Sequence, residues 1–415
     1  MNGDGYSWHM DFRTDIDEQW GYLLSFLPDD VDLARSAKET KAFVRARGVR
    51  SPDALLRLAL AYSVGNMSLR ETAAWAKATG LADVSDVALL NRMRSASSWL
   101  GQLLGKMLAS QADRVPSSAV ARRVCLVDAT TISCPKSDGT DWRIHVRYDL
   151  QRLSIIGAEL TDAHGGETLA RHSVGEGDIV IADRAYGSRR GLDHITKLGA
   201  DFLVRLTWHN LPLVTVDGEP FDILQALSTV PSASTQDGLQ QGASDSSGCV
   251  NGRVTEFPVG EFFVKTAPTK DYPAIECRLI AVRKSDVKTK ADRERILRNN
   301  SKKGRQTDPR TLKAAAFTFV LTSLLASEIS AADALALYRF RWQIELAFKR
   351  LKSLLNLDVL LARDQQLAQT ALYAKLIAAV LVDALTARFV DFSPWGFRFP
   401  KCTVDLDLAC SKNAD

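Results

Sequence analysis

At about residue 120 the period of the apolar pattern changes, and that change limits the chain to an α/β architecture behind a helical N-terminal region. From 31 to 110 apolar residues recur at three and four, as at Leu55, Leu56, Leu58, Leu60 and Tyr62, which is the helical period. Ser51-Pro52-Asp53 is a helix start signal. The stretch Ser68–Ala78, then Thr79-Gly80-Leu81, then Ser85–Ala96 reads as helix, short turn, helix. Ser68 and Ser85 stand at N-cap positions, and Glu71 completes a capping box with Ser68. A helix-turn-helix that enters a major groove has this outline, and so has an ordinary helical hairpin. Cations of the unit available to phosphates are Arg70, Lys77, Arg92 and Arg94.

Past residue 120 the pattern becomes that of strands. Val124–Val127 is a short apolar run ending in Asp128. Trp142, Ile144, Val146 and Tyr148 alternate with polar residues as in a half-buried strand, and Ser154–Leu160 alternates again to form a hairpin with it. Thr168–Val174 reads as a third partner. Ile179–Ile181 is a fully buried run ending in Ala182-Asp183, followed by a helix at Ser188–Leu198 and a strand at Asp201–Leu206. Residues 227–250 are rich in Ser, Gly, Thr and Gln, the composition of a flexible loop. Phe262–Val264, Ile275–Val282 and Phe317–Leu321 are strand-like, and 331–355 and 366–389 are amphipathic helices. The expected segments are 1–115, 116–207, 208–313, 314–390 and a tail at 391–415.

With 415 residues, 46% of them hydrophobic, the chain can bury a large core over two or three domains. A net charge of +4 argues for no partner by itself. Its distribution says more. Residues 1–30 hold Arg13 against seven acids; 35–94 hold eleven Lys/Arg against five Asp/Glu; 283–313 hold twelve against four. Such patches read either as polyanion contacts or as solvated basic faces. No apolar leader opens the chain, and apolar stretches fall well short of the roughly 20 residues of a membrane span. The expectation is a cytoplasmic protein without a membrane partner. Its six cysteines show no CxxC spacing and should be reduced. Six histidines show no zinc spacing, and His145 reads as a packed or surface residue. A GxSxG elbow and a P-loop are both missing from the sequence.

Asp128 and Asp183 each close an apolar run. Rigid strands suit metal coordination, and carboxylate oxygens are the ligands Mg²⁺ prefers. Three carboxylates can hold two such ions, one at the attacking and one at the leaving oxygen of a phosphoryl transfer. Alone, each aspartate could equally open a turn. A third acid stands in YRFRWQIELAFKRLK. On a continuous helix Tyr338, Arg341, Glu345 and Lys352 fall near about 0°, −60°, −20° and −40°, one narrow stripe. That sets a carboxylate for metal in line with cations for phosphate. A surface helix with an Arg341–Glu345 pair would look the same.

Together, VDATTI around Asp128, IADRAYG around Asp183 and Y-x2-R-x3-E-x6-K at Tyr338–Lys352 resemble the DDE transposases of bacterial insertion sequences. The spacing is that of the insertion-sequence-four group with its YREK signature. The resemblance covers roughly 35–390. It implies an RNase H-like mixed-sheet catalytic core, interrupted at 208–313 by a β-rich insertion, behind an all-α N-terminal DNA-binding domain. It also implies that Asp128, Asp183 and Glu345 are the catalytic metal ligands for Mg²⁺, with Mn²⁺ able to substitute. Tyr338, Arg341 and Lys352 would contact DNA phosphates beside the cut, and Arg184 is a further expected DNA contact. The partners implied are double-stranded terminal inverted repeats, target DNA and a second copy of the chain in a synaptic homodimer. A flipped base held by tryptophan is known in some relatives, but no motif assigns that role to Trp208 or Trp342. Two alternatives stay open: a transposase-derived repressor without catalysis, and a metal-dependent nuclease that cuts without joining.

Overall fold

The structure, a computed structural model, describes residues 12–112, 122–229 and 259–391. Most of the 227–250 stretch, the tail beyond 391, His9, Cys249, Cys402 and Cys410 lie outside the described residues. Along the chain, helices α1 (Phe12–Leu24), α2 (Leu33–Glu39), α3 (Pro52–Val64), α4 (Leu69–Ala78) and α5 (Asp86–Ala112) come first. Strands β1 (Val124–Ile132), β2 (Trp142–Asp149) and β3 (Ser154–Asp162) follow, then β4 (Ile179–Ala182), α6 (Arg189–Lys197) and β5 (Asp201–Leu206). Between β5 and the later core strand lie β6 (Leu213–Val214), α7 (Ile223–Ala226), β7 (Val259–Thr266), β8 (Glu276–Arg283), α8 (Asp286–Lys302) and α9 (Pro309–Ala314). Strand β9 (Phe317–Thr322) and helices α10 (Ala331–Arg339), α11 (Trp342–Leu355) and α12 (Gln365–Asp391) complete the order. The architecture is the expected mixed α/β one, with a mixed parallel and antiparallel sheet and a helical N-terminal region.

The chain forms two compact units. One contains the described residues of 1–117, 129–166 and 344–401, the other those of 118–128 and 167–343.

In the first unit the helix starts are written in the sequence. Ser51 caps α3 with Pro52 at its first position. Ser68 and Glu71 make the capping box of α4, which Gly80 ends at φ +72°. Helix α5 runs on well past Ala96, burying Leu89, Met93, Trp99, Leu103 and Met107. It packs on α12, where the Thr370 hydroxyl donates to the Met93 carbonyl at 2.6 Å. Gly101 permits the approach, since a Cβ there would stand 3.2 Å from the Tyr373 ring. Helix α12 corrects one expectation: over Gln365–Arg388 it is long and apolar enough to cross a membrane. Its alanines dilute the apolar signal, and 56% of the qualifying window is buried against the protein, as in a core helix.

Strands β2 and β3 pair antiparallel, as the alternation predicts. Yet β2 is buried on both faces rather than one. Its polar residues are accommodated by internal partners: His145 Nε2 meets Thr161 Oγ1 at 3.1 Å, Arg147 donates to the Ile156 carbonyl, and Asp149 accepts from Arg152 N–H. Burial also pushes the Asp383 carboxyl up to about 6, although it accepts from Ile155 N–H and faces Arg350. The neighbouring Tyr148 hydroxyl is raised as well, by burial and then by Asp383. A folded-state pKa above the unfolded one means that protonation favours folding, so this group's contribution declines as pH rises from about 4 to about 6. Asp383→Asn should therefore stabilise the protein above pH 6, on the order of 2 kcal/mol. The gain should vanish as pH falls toward 4. Thermal melting of both proteins across this range checks it, and equal melting points at pH 7.5 would contradict it.

The second unit is built on parallel pairing of β1, β4 and β5 and antiparallel pairing of β5, β9, β8, β7 and β6. Thr168–Val174 is no strand. Thr168 Oγ1 accepts from Ala170 N–H and closes a 3₁₀ turn at Leu169–Arg171 instead. At the amino ends of the parallel strands Arg123 grips Asp178 at 2.7 Å and Arg122 grips Asp201. These ion pairs fix the strands' register at the end away from the aspartates singled out above.

Candidate active site

The parallel register brings Asp128 and Asp183 level. Val127 pairs with Ala182, and Ala182 with Val204. The next residues on the three adjacent strands are therefore Asp128, Asp183 and Arg205, with strands about 4.8 Å apart. Carboxyl ends of parallel strands are where open α/β sheets bind ligands. Asp128 is not at a strand end as the apolar run suggested, because β1 continues to Ile132. Asp183 directly follows β4 and begins a 3₁₀ turn, but its side chain makes no capping hydrogen bond. The ordinary explanation of a strand-end aspartate, a capped turn, thus fails here.

A guanidinium flanks each acid. Arg341 Nη1 lies 3.9 Å from Asp128 Oδ2, and Arg205 Nη1 lies 3.9 Å from Asp183 Oδ1. Those separations are too long for hydrogen bonds. Asp183 Oδ1 is buried and has no hydrogen-bond partner among the described residues. An anionic oxygen held that way is costly unless something binds it. Tyr338 belongs to the same cluster: its hydroxyl is pushed up to about 12, first by burial and then by Asp183, with Arg341 and Arg205 opposing. Among the described residues of this unit no third His, Cys, Asp or Glu joins the two aspartates. Arg184, just after Asp183, is exposed. Trp208 lies under the Arg310 guanidinium at 4.9 Å, and Trp342 is exposed.

The stripe at 338–352 needs correction. It is not one helix: α10 ends at Arg339 and α11 begins at Trp342. Phe340, Arg341 and Gln343 donate to carbonyls three residues back, at 3.1, 3.1 and 2.9 Å, in place of the four-residue bonds of an α-helix. Tyr338 and Arg341 are thus on α10 and the turn, while Glu345 and Lys352 share a face of α11. Glu345, Phe348, Lys349, Lys352 and Ser353 line a shallow groove on that helix, in the first unit. Glu345 is exposed and Lys352 half-buried.

Of the N-terminal cations, Arg70 is free to reach outward, its side chain 89% exposed and 4.0 Å from Asp86. Arg92 donates to the Arg45 carbonyl and stacks over Phe43. Arg94 grips Asp364 at 2.8 Å. Lys77 pairs with Asp83 at 3.2 Å. Sequence reasoning missed Arg205. Its signal was a lone cation near the carboxyl end of the apolar run DFLVRL.

The transposase DDE domain family matches residues 120–242 and 263–381. The chain belongs to the DDE transposase family. The putative transposase InsL of insertion sequence element IS186A from Escherichia coli K12 is 39% identical over 378 residues, 91% of this chain and 96% of its own length. The transposase of IS421 from Escherichia coli is likewise 39% identical, over 379 residues. The cryo-EM structure of a piggyBac transposase synaptic complex with hairpin DNA is similar at TM-score 0.46 and 8% identity. That likeness covers 89% of this chain and 75% of that one. This transposase is accordingly an enzyme of DNA transposition that cuts and joins DNA with divalent metal ions. The chemistry of its two level aspartates fits that requirement: hard oxygen donors, one of them buried without a hydrogen bond.

Proposed function

We propose that this transposase cuts DNA at the terminal inverted repeats of an insertion sequence and joins the freed 3′-OH to target DNA. Asp128, Asp183 and Glu345 are the metal ligands in this reading. The observation that carries it is the level placement of Asp128 and Asp183 with an orphaned Asp183 oxygen. Mg²⁺ is the proposed ion, with Mn²⁺ as a substitute. Bound ions would supply Lewis acidity at the attacking and leaving oxygens. The protein's own groups do the rest: Arg341 and Lys352 hold the phosphate as fixed cations, and Tyr338 donates to it from a hydroxyl kept protonated. Arg184 and Arg70 extend the DNA contact, as do Arg92 and Arg94 if released from their present partners. A synaptic homodimer acting on cytoplasmic DNA completes the proposal.

The test uses the full chain, Mg²⁺ and linear DNA carrying the element's flanking inverted repeats. Expected products are ends nicked at the repeat and strands joined to a second DNA. Cutting without joined product supports the nuclease reading. Binding without either product supports the repressor.

A further inference from the structure

We infer that the outer face of α8 is a track for the phosphate backbone of duplex DNA, separate from the aspartate cluster. The inference rests on the DNA-processing reading above and adds a surface to it. Helix α8 has two unlike sides. Its inner side is fastened: Lys284 grips Asp292 at 2.7 Å and the Ala315 carbonyl at 3.0 Å. Arg293 donates to the Leu312 carbonyl, Asn300 to Thr307 Oγ1, and Thr289 is buried. Cations used in this way are structural.

On the outer side stand Lys288, Arg295, Arg298 and Lys302, all exposed. At about 100° per residue they fall within an arc of about 80°, and they extend about 21 Å along the axis. Among the described residues no ion pair involves Lys288, Arg298 or Lys302. Arg295 pairs only with Asp292, which Lys284 already holds.

That side sets like charges close together. Arg295 and Arg298 are three apart, and Arg298 and Lys302 four apart. Such like-charge neighbours are unfavourable on a helix surface. The helix has almost no apolar stripe to offset this, its exposed face even carrying Val287 at 83% exposure. The inner fastenings hold it in shape regardless. A rigid row of exposed cations, three of the four without an ion pair among the described residues, is matched by a rod with one phosphate charge per about 1.7 Å of axis.

The experiment compares the full wild-type chain with a Lys288→Gln, Arg295→Gln, Arg298→Gln, Lys302→Gln variant on the same duplex. Affinity is measured between about 50 and 200 mM KCl. Four phosphate contacts predict that the slope of log affinity against log salt becomes shallower by about 3–4. Cleavage at saturating DNA should stay within about threefold of wild type, since the chemistry lies elsewhere. Should the fourfold variant melt early, Arg298→Gln and Lys302→Gln singly should each reduce the slope by about one. A wild-type chain that cleaves DNA while all variants keep its salt slope overturns this inference alone. A wild-type chain that binds no duplex overturns the function reading with it.

Discussion

Asp128→Ala and Asp183→Ala should each lower DNA cleavage by at least about 10³-fold, about 4 kcal/mol of barrier, with duplex binding within a few-fold of wild type. The expectation follows from what the two side chains can do. They are level on adjacent parallel strands, so their negative charges repel and demand a cation. The guanidiniums of Arg341 and Arg205, both at 3.9 Å, moderate that repulsion. Asp183 Oδ1 in particular has no hydrogen bond. Removing either carboxylate removes a hard oxygen donor that no neighbouring group replaces. DNA binding should survive because it depends on cations spread over the surface. Asp128→Asn and Asp183→Asn, which keep the volume, guard against loss of packing, and calorimetric Mn²⁺ titration should show weaker binding in all four. Full cleavage by either alanine variant would remove that residue from the site.

How much of this was legible beforehand depended on whether a local signal existed. Caps are local, and Ser51, Ser68 with Glu71, and Ser188 all cap the helices they were read to start. Strand pairing was legible where alternation or an uninterrupted apolar run persisted, as at β2–β3 and at β4 and β5. It failed at Thr168–Val174, where a threonine hydroxyl satisfies the backbone locally and no sheet partner is needed. Helix α8 has no apolar period, so its 17 residues read only as a basic segment. Long-range tethers such as Lys284 to Asp292 and Ala315 make it rigid. In the proposed site, the two aspartates stand out by their place after apolar runs. Arg205 does not, because its role comes from the β4–β5 register. The break at Phe340–Arg341 left no trace either. Neither glycine nor proline marks it, and the apolar spacing runs straight through.

That break sharpens the test of the third acid. Because Tyr338 and Arg341 are not on the helix that carries Glu345 and Lys352, their substitutions should separate rather than act as one stripe. Glu345→Gln keeps the size and removes the charge proposed to hold an ion. It should cost at least about 10³-fold in cleavage and weaken Mn²⁺ binding, with the melting temperature unchanged. Arg341→Ala removes a cation beside Asp128, so Mn²⁺ affinity should hold or rise while cleavage falls by a smaller factor, about 10–100-fold. Lys352→Ala should weaken the DNA complex and leave the metal titration as it is, since an ammonium contributes position and charge to phosphate. Tyr338→Phe should be mildest, the loss of one hydrogen bond on the order of 1 kcal/mol. If Glu345 is instead one end of a surface ion pair, Glu345→Gln will cost well under about 1 kcal/mol of stability and spare activity. Cleavage rate, Mn²⁺ affinity and melting temperature for the four variants distinguish these patterns. Full cleavage by Glu345→Gln would mean that the acid completing the site is another residue.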